Sequence, residues 1–156
     1  MNDRYLFKAK RIDNGEWVEG CLLIDYVTGQ YFIHAVGNSV NESAKIGEEG
    51  CLRFVAFEVD PSTICQCTGL RDKNDKMIWE GDIIDGHIKR GAAFYRCVVL
   101  WNESKARFDV RAMDCNFPMT LDECVDDISM GGLDYEVIGN IFDNPELLKG
   151  EIKNEE

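Results

Sequence analysis

Histidine, basic residues and long apolar runs are all scarce in this 156-residue chain, and each scarcity argues against a class of function. The two histidines, His34 and His87, stand in no metal-ligand spacing. Lys and Arg number 17 against 29 Asp and Glu, which gives a net charge of −12. Binding to a phosphate backbone depends on basic side chains that displace counterions, so we expect no direct nucleic-acid binding.

Membrane and export signals are missing as well. No apolar run approaches the roughly 20 residues of a membrane span. The N-terminal residues show no apolar signal-peptide core, so we expect no membrane association and a cytoplasmic location. The chain has no Walker A motif, G-x-G-x-x-G or G-x-S-x-G.

Two catalytic possibilities remain open on sequence alone. A cysteine nucleophile needs a nearby histidine, which only a structure can show. Acid–base chemistry needs two carboxylates at a fixed separation, and turn carboxylates are common in any protein. The candidate carboxylates cluster within Asp72, Asp75, Glu80, Asp82 and Asp85. We predict that none of these is catalytic and that the protein is not an enzyme.

The seven cysteines are scattered and odd in number, which is typical of reduced thiols that serve as small core residues. Cys65 and Cys67 lie two apart, so a strand would place both on one face. They could begin a metal site, but structural zinc needs four ligands and no second pair exists. The run from Asp72 resembles the start of a calcium loop, yet Met77 and Ile83 occupy positions where that loop needs Gly and Glu. We therefore predict no metal and no cofactor.

Apolar residues recur mostly with a period of two, which indicates β-strands. Strands are predicted at 5–10, 17–26, 31–36, 51–59, 63–70, 77–79, 83–88, 94–101, 106–112 and 135–142. Many short strands separated by turn signals favour a mainly β fold of small antiparallel sheets, with an SH3-like barrel. One or two short helices are predicted, from Thr120 to about Ile128 by a capping box and after Asn144-Pro145.

Patterning within single strands gives finer predictions. Residues 51–59 are apolar on both faces, which predicts a strand covered on both sides. In 106–112 the alternation places Arg107, Asp109 and Arg111 on a solvent face. The Asp60-Pro61-Ser62 break predicts an N-terminal β subdomain over 1–61 and a C-terminal, SH3-like one over 62–149. Residues 37–50 read as a polar loop and 150–156 as a frayed tail.

The run from Cys65 to Ile84, CQCTGLRDKNDKMIWEGDII, is the most informative part of the chain. Asn74 and Asp75 form the predicted hairpin tip, because both tolerate the left-handed backbone of a tight turn. Gly69 permits a sharp bend, and Gly81 permits a kink or bulge between strands. We interpret this set as structural: Gly69, Asp72, Asn74, Trp79, Glu80, Gly81 and Asp82.

The same run resembles the YopX family, in which Q-x-T-G-L-x-D-x-N-G-x-x-I-[YFW]-E-G-D-I is typical. The opening FKAKRIDNGEWVEGCLL, the strand pair VVLWNESKARFDV and the closing VIGNIFDNPELL are also similar to that family. The chain departs from the pattern at Asp75, where glycine is usual. The resemblance implies a largely β fold, an origin in a bacteriophage or prophage, no established biochemical activity and no catalytic residues.

These observations favour a non-enzymatic phage accessory protein that acts by protein binding or self-assembly into a homo-oligomer. An unpaired strand edge in such a fold would favour self-association. The alternative is an acidic inhibitor or nucleic-acid mimic directed at a host nucleic-acid-binding enzyme. The aromatic residues are expected in the core, although exposed ones would mark a protein interface. This group contains Trp17, Trp79, Trp101, Phe94 and Tyr95.

Overall fold

β-Strands dominate the computed structural model of the protein, which describes residues 3–35, 55–88, 94–112, 118–120 and 133–148. The prediction of a mainly β, antiparallel fold is confirmed. The strands of the described ranges are β1 (Phe7–Lys10), β2 (Trp17–Asp25), β3 (Gln30–Ala35), β4 (Ala56–Glu58), β5 (Cys65–Arg71), β6 (Met77–Trp79), β7 (Asp82–Ile88), β8 (Phe94–Asn102), β9 (Arg107–Ala112), β10 (Pro118–Thr120) and β11 (Leu133–Asn140).

The chain divides into two compact units, Met1–Cys67 and Thr68–Glu156. In the first unit the antiparallel strand order is β4-β3-β2-β1, and the first residues of β5 pair with β1. Its core contains the fully buried Ala9, Ile33 and Val59. β1 pairs only with the first part of β2, so within the described residues the Cys21–Asp25 part of β2 pairs with β3 alone.

The second unit contains a five-stranded antiparallel sheet of order β10-β9-β8-β7-β11, together with the β5–β6 hairpin. β8 lies at the centre of that sheet, between β7 and β9, as its apolar sequence predicted. The core is built from Ile78, Ile84, Cys97, Val99, Val110, Tyr135 and Val137. The described strands form an open sheet, and the SH3-like barrel stays a prediction.

The helix predicted after Asn144 is wrong, because Pro145–Leu148 forms a single 3-10 turn. The Asn144 side chain does not cap that turn. Its Oδ1 accepts from the backbone N–H of Asn140 at 3.3 Å and lies against Gly139, where a Cβ would be only 2.5 Å away. Apart from such 3-10 turns, the described ranges contain no helix. Residues 121–128, the loop 37–50 and the tail 150–156 fall outside those ranges.

The strand predicted over 51–59, with both faces covered, is only partly realised. Residues 51–54 lie outside the described ranges, and β4 occupies the outer position of the first unit's sheet, where Ala56 and Glu58 are exposed. The fully buried Val59 makes an isolated bridge to Arg11. The apolar pattern could not predict this outer position, because a β-branched or apolar residue fits both a central and an edge strand.

Candidate functional site

The β5–β6 hairpin carries the signature residues, and two local devices shape it. Gly69 adopts φ +80°, a left-handed conformation that suits glycine, inside β5. The Thr68 hydroxyl beside it donates to the Ile78 carbonyl at 2.7 Å and accepts from the Leu70 N–H at 3.1 Å. At the predicted tip Asp75 has φ +66°, which confirms the left-handed turn even though glycine is absent there.

Asp72 is the anchor of this hairpin. Its Oδ1 accepts from the backbone N–H groups of Asn74 at 2.8 Å and Lys76 at 2.9 Å, which confirms the predicted bonding within its own turn. Its Oδ2 accepts from the N–H of Val137 on β11 at 2.9 Å. The residue is only 8% exposed. One carboxylate therefore holds both the turn and a strand 65 positions further along the chain.

The neighbours of Asp72 extend this contact along β11. Lys73 donates its backbone N–H to the Tyr135 carbonyl at 3.0 Å, and its Nζ lies 2.7 Å from Glu136 Oε2. Lys76 Nζ reaches the Val137 carbonyl at 3.4 Å. β11 is the outer strand of its sheet, so these bonds occupy backbone groups that an edge strand otherwise exposes.

The electrostatics of Asp72 follow from this geometry. Burial is the largest influence on the pKa of Asp72 and acts to raise it. The backbone donors of Val137, Lys76 and Asn74 act in the opposite direction, with help from the Lys76 charge. The net result is a pKa below the ordinary aspartate value, because hydrogen bonds to the charged form outweigh its desolvation. A carboxylate held ionised in this way suits an anchor more than a proton donor.

The Trp79–Asp82 turn is equally tied to the fold. Gly81 has φ +77°, and a Cβ there would lie 3.3 Å from the Phe142 ring. Its N–H donates to the Val99 carbonyl at 2.8 Å, and its carbonyl accepts from the Ile141 N–H at 2.9 Å. Asp82, 2% exposed, accepts from the Trp79 N–H at 2.9 Å. Trp79 and Ile78 are buried as predicted, and Ile78 belongs to the core of the second unit.

Asn74 and Glu80 complete the signature set, and they differ from the rest. Asn74 donates its backbone N–H to Asp72 Oδ1, and the residue is exposed. Glu80 lines a cleft on the second unit and has no ion pair among the described residues. Glu80 is thus the signature carboxylate that faces a space where a ligand could lie.

Asp109 is a site residue that sequence patterning missed. The prediction of a solvent face for it is wrong, since Asp109 is 5% exposed. Its carboxylate accepts from Asn102 Nδ2 at 2.6 Å and Arg107 Nε at 2.8 Å. The Asn102 hydrogen bond is the main cause that holds its pKa below the ordinary value. Burial opposes that shift and Arg107 adds to it. Two neighbouring strand ends supply these donors, which a one-strand pattern cannot show.

The other candidate residues do not gather into one centre. Cys65 and Cys67 are buried thiols on one face of β5, and Cys65 Sγ donates to the Thr63 carbonyl at 3.3 Å. Asp75 is exposed beside Arg71, with Asp75 Oδ1 3.7 Å from Arg71 Nε, while Asp85 lies on β7. Within the described ranges, no three His, Cys, Asp or Glu residues are grouped to hold a metal ion.

The aromatic residues separate into three environments. Trp79 is buried, and Trp17 has the Lys8 and Lys10 Nζ atoms over its ring at 5.2 and 5.5 Å from the centroid. Trp101 is 41% exposed and packs edge-on against Phe108. His34 lies on β3. The side chains of His87, Phe94 and Tyr95 lie outside the described part of the structure.

The turn between β2 and β3 carries the most exposed apolar residues among those described in the first unit. Tyr26 is 88% exposed and Val27 95%, and the exposure continues into β2 at Leu23 and Ile24. We call these four residues the β2–β3 tip. Asp25 closes the turn by accepting from the N–H groups of Val27 at 2.8 Å and Thr28 at 3.3 Å.

The described residues form a β protein with open antiparallel sheets, buried carboxylates in its turns and one exposed apolar hairpin. The signature residues lie in or beside those turns. The sequence model of the YopX family, described as YopX protein, matches residues 7–149, most of the chain. The chain belongs to the YopX family. No curated protein matches it. No helix in the described ranges is long and apolar enough to cross a membrane.

Proposed function

We propose that this protein is a bacteriophage or prophage accessory protein that works without catalysis, by binding to copies of itself through the β2–β3 tip. The observation that carries the proposal is the exposure of Leu23, Ile24, Tyr26 and Val27 on one hairpin. Contiguous exposed apolar residues are costly in water and mark interaction surfaces in soluble proteins.

The backbone at the tip supports pairing between copies. Cys21–Asp25 of β2 bonds to β3 on one side, and no described strand occupies its other side. Such an edge presents N–H and C=O groups to a further strand. Two copies can add to each other's edge in antiparallel fashion about a two-fold axis, which buries the same residues on both.

The signature residues support a structural role more than a chemical one. Asp72 and Asp82 accept backbone N–H groups, and Gly69 and Gly81 supply left-handed turns. These contacts use the carboxylates that a hydrolytic mechanism would need. The contacts of these residues therefore favour a protein that acts through its shape and the surfaces it presents.

Light scattering coupled to size exclusion tests the proposal on the full chain. The wild type is expected to elute above the monomer mass, and Val27→Asp is expected to shift it toward the monomer. Ile12→Asp is the matched control, because Ile12 is an exposed apolar residue in the turn at the other end of β2. That strand has nine residues, so the two sites are separated by roughly 26 Å of β-structure.

A strictly monomeric wild type at high concentration overturns the proposal. So does an equal response of the oligomer to both substitutions. The acidic-mimic alternative has the net charge of −12 in its favour. A monomer that binds a host nucleic-acid enzyme in a salt-sensitive way would support that alternative instead.

A further inference from the structure

We propose that the 3-10 turn Pro145–Leu148 is a releasable strap, which Arg96 holds on the sheet of the second unit and which opens because Asp85 competes for that guanidinium. This strap lies in the second unit and does not depend on the β2–β3 tip of the first. Among the residues that the structure describes, none accepts a hydrogen bond from Arg96 Nε, although this atom is buried. Buried donors without a partner are rare in native proteins, so this one needs a physical explanation.

Arg96 attaches the strap through the other end of the same guanidinium. Its Nη1 donates to the Leu147 carbonyl at 2.8 Å. Pro145 and Glu146 are exposed, and Leu147 is only half-buried. The Leu147 N–H donates to the Asn144 carbonyl at 3.0 Å, which closes the turn. Hydrogen bonds in a 3-10 turn have poor geometry, so an element this short depends on its contacts with the sheet.

Asp85 offers the guanidinium a second partner. It lies on β7 directly opposite Arg96 on β8, so the two side chains leave the same face of the sheet. Residues opposite each other have Cβ atoms about 4.5 to 5.5 Å apart, a separation that a carboxylate and a guanidinium can bridge. The Asp85 carboxylate makes no hydrogen bond or ion pair with another described residue. A buried donor and a carboxylate on neighbouring strands therefore both lack a partner while the strap is closed.

Opening of the strap relieves this mismatch. While Nη1 holds the Leu147 carbonyl, Arg96 Nε stays buried without an acceptor, which is unfavourable. Release of Leu147 lets the guanidinium turn toward Asp85 and pair with it through its N–H donors. The new ion pair offsets part of what is lost, so the strap opens more readily than its contacts alone would allow. The β7–β8 ladder is made of backbone bonds and stays intact.

Opening also affects the face of the sheet that carries Arg96. Ile83 and Val98 lie two positions from Asp85 and Arg96 on the same strands, so they share that face. Both are buried, although neither belongs to the core cluster of the second unit. Because the strap is bonded to this face, its release is expected to expose apolar surface there. The strap is thus placed to control access to an apolar strip of the sheet.

A bound water is the competing explanation for the unpaired atom. A water between Arg96 Nε and the Asp85 carboxylate would satisfy both groups and hold the closed arrangement. The two explanations predict opposite roles for Asp85. A bridging water makes Asp85 an anchor of the closed strap, whereas competition makes it the partner of the open one.

Hydrogen exchange of the full chain, followed by nuclear magnetic resonance, tests the strap. The reporter is the Leu147 amide, whose N–H bond closes the turn. Asp85→Asn removes the competing charge and is expected to slow this exchange roughly 1.5- to 5-fold, because the open state loses a partly exposed ion pair. Glu136→Gln is the matched control, since Glu136 lies opposite Asp85 on β11 and pairs with Lys73 instead. It is expected to leave the Leu147 exchange unchanged.

A second background separates competition from a general effect of charge. Arg96→Met removes the guanidinium and is expected to speed the Leu147 exchange, because the Leu147 carbonyl loses its donor. In that background Asp85→Asn is expected to have no further effect, since the competition acts through Arg96. The dispersion of each amide spectrum checks folding, and Asp85→Ser takes the place of Asp85→Asn if the latter does not fold.

Three results overturn the inference. They are an unchanged or faster Leu147 exchange in Asp85→Asn, an equal slowing in Glu136→Gln, and an effect of Asp85→Asn that persists without Arg96. The faster exchange is the result that a bridging water predicts. The mass measured for Val27→Asp does not depend on the strap, so failure of the strap leaves the proposal for the β2–β3 tip standing, and the reverse also holds.

Discussion

Two hairpins of this protein each contain an aspartate that accepts backbone hydrogen bonds within its turn. One hairpin projects from its sheet, and the other is bonded to a distant strand. Asp25 in the β2–β3 turn and Asp72 in the β5–β6 turn both accept backbone N–H groups two residues ahead. Asp25 bonds only within its turn, and the residues beside it are the most exposed apolar residues described. Asp72 makes a further bond to Val137. The Asp72 bond to β11, together with the contacts of Lys73 and Lys76 to the same strand, thus separates an anchored hairpin from a projecting one.

The difference shows how a turn residue can change role without a change of type. An aspartate that satisfies its own turn fixes local shape and leaves the hairpin face available. An aspartate with a second oxygen directed at a distant N–H couples that turn to a sheet edge. In this family member the coupled hairpin carries the family signature, while the projecting hairpin carries the proposed interface.

The largest expected effect comes from Asp72→Ala. Removal of the carboxylate leaves the buried Val137 N–H without its acceptor, which costs about 2 to 3 kcal/mol of unfolding free energy. Asp25→Ala, the matched change in the other hairpin, is expected to cost clearly less, because water can reach the N–H groups it releases. Urea unfolding of both variants measures this. Equal losses would mean that the long-range bond adds nothing.

Acid titration sharpens the same comparison. The pKa of Asp72 in the folded state lies below the ordinary aspartate value. A lowered folded pKa stabilises the protein above the unfolded value and loses that stabilisation as pH falls through the folded pKa. The stability gap between wild type and Asp72→Asn is therefore expected to be constant near neutrality and to shrink below about pH 4. Unfolding curves at stepwise lower pH measure the gap. A constant gap throughout would contradict the shift.

Two glycines with nearly the same backbone angle give a third comparison. Gly29 in the β2–β3 turn has φ +75° and open space around it, whereas Gly81 has φ +77° and the Phe142 ring close by. Alanine at either position is expected to cost about 1 to 2 kcal/mol for the left-handed conformation. Gly81→Ala is expected to cost more than Gly29→Ala, because the Phe142 ring must also shift. Thermal unfolding of the pair measures the excess, and a larger loss at Gly29 would refute it.

The smallest expected effect is a gain at the anchored tip. Asp75 holds φ +66° without being glycine, so Asp75→Gly is expected to stabilise the protein by up to about 0.5 kcal/mol. Asp75→Ala keeps the Cβ and removes the carboxylate, and it is expected to be less stable than Asp75→Gly. Urea unfolding again provides the measurement. A lower stability of Asp75→Gly than of the wild type would show that the Arg71 contact outweighs the backbone strain.

Local chemistry made part of this structure predictable. The left-handed turns at Gly69, Asp75 and Gly81 follow from residue type, and so do the bonds of Asp72 to its own turn. The central position of β8 follows from its continuous apolar sequence. Each of these properties depends on residues within a few positions of one another.

The features that escaped prediction depend on contacts between segments or on side-chain directions that spacing does not show. The Asp72 bond to Val137 joins residues 65 apart, and no spacing rule reaches that far. Asp109 is buried where it bonds to Arg107 of its own strand and to Asn102 across the β8–β9 hairpin. Only a 3-10 turn follows Asn144, whose side chain bonds back to the Asn140 N–H. The cleft lined by Glu80 likewise forms only when β8, β9 and Glu80 are assembled.

The span of the Asp72–Val137 bond also bears on the order of folding. Closing a loop of that length is entropically slow, so the bond should form after the nearby hairpins are in place. An interaction absent from the transition state affects the rate of unfolding and leaves the rate of folding almost unchanged. The Asp72–Val137 bond would then form late in folding and slow unfolding, so it sets the lifetime of the native hairpin arrangement.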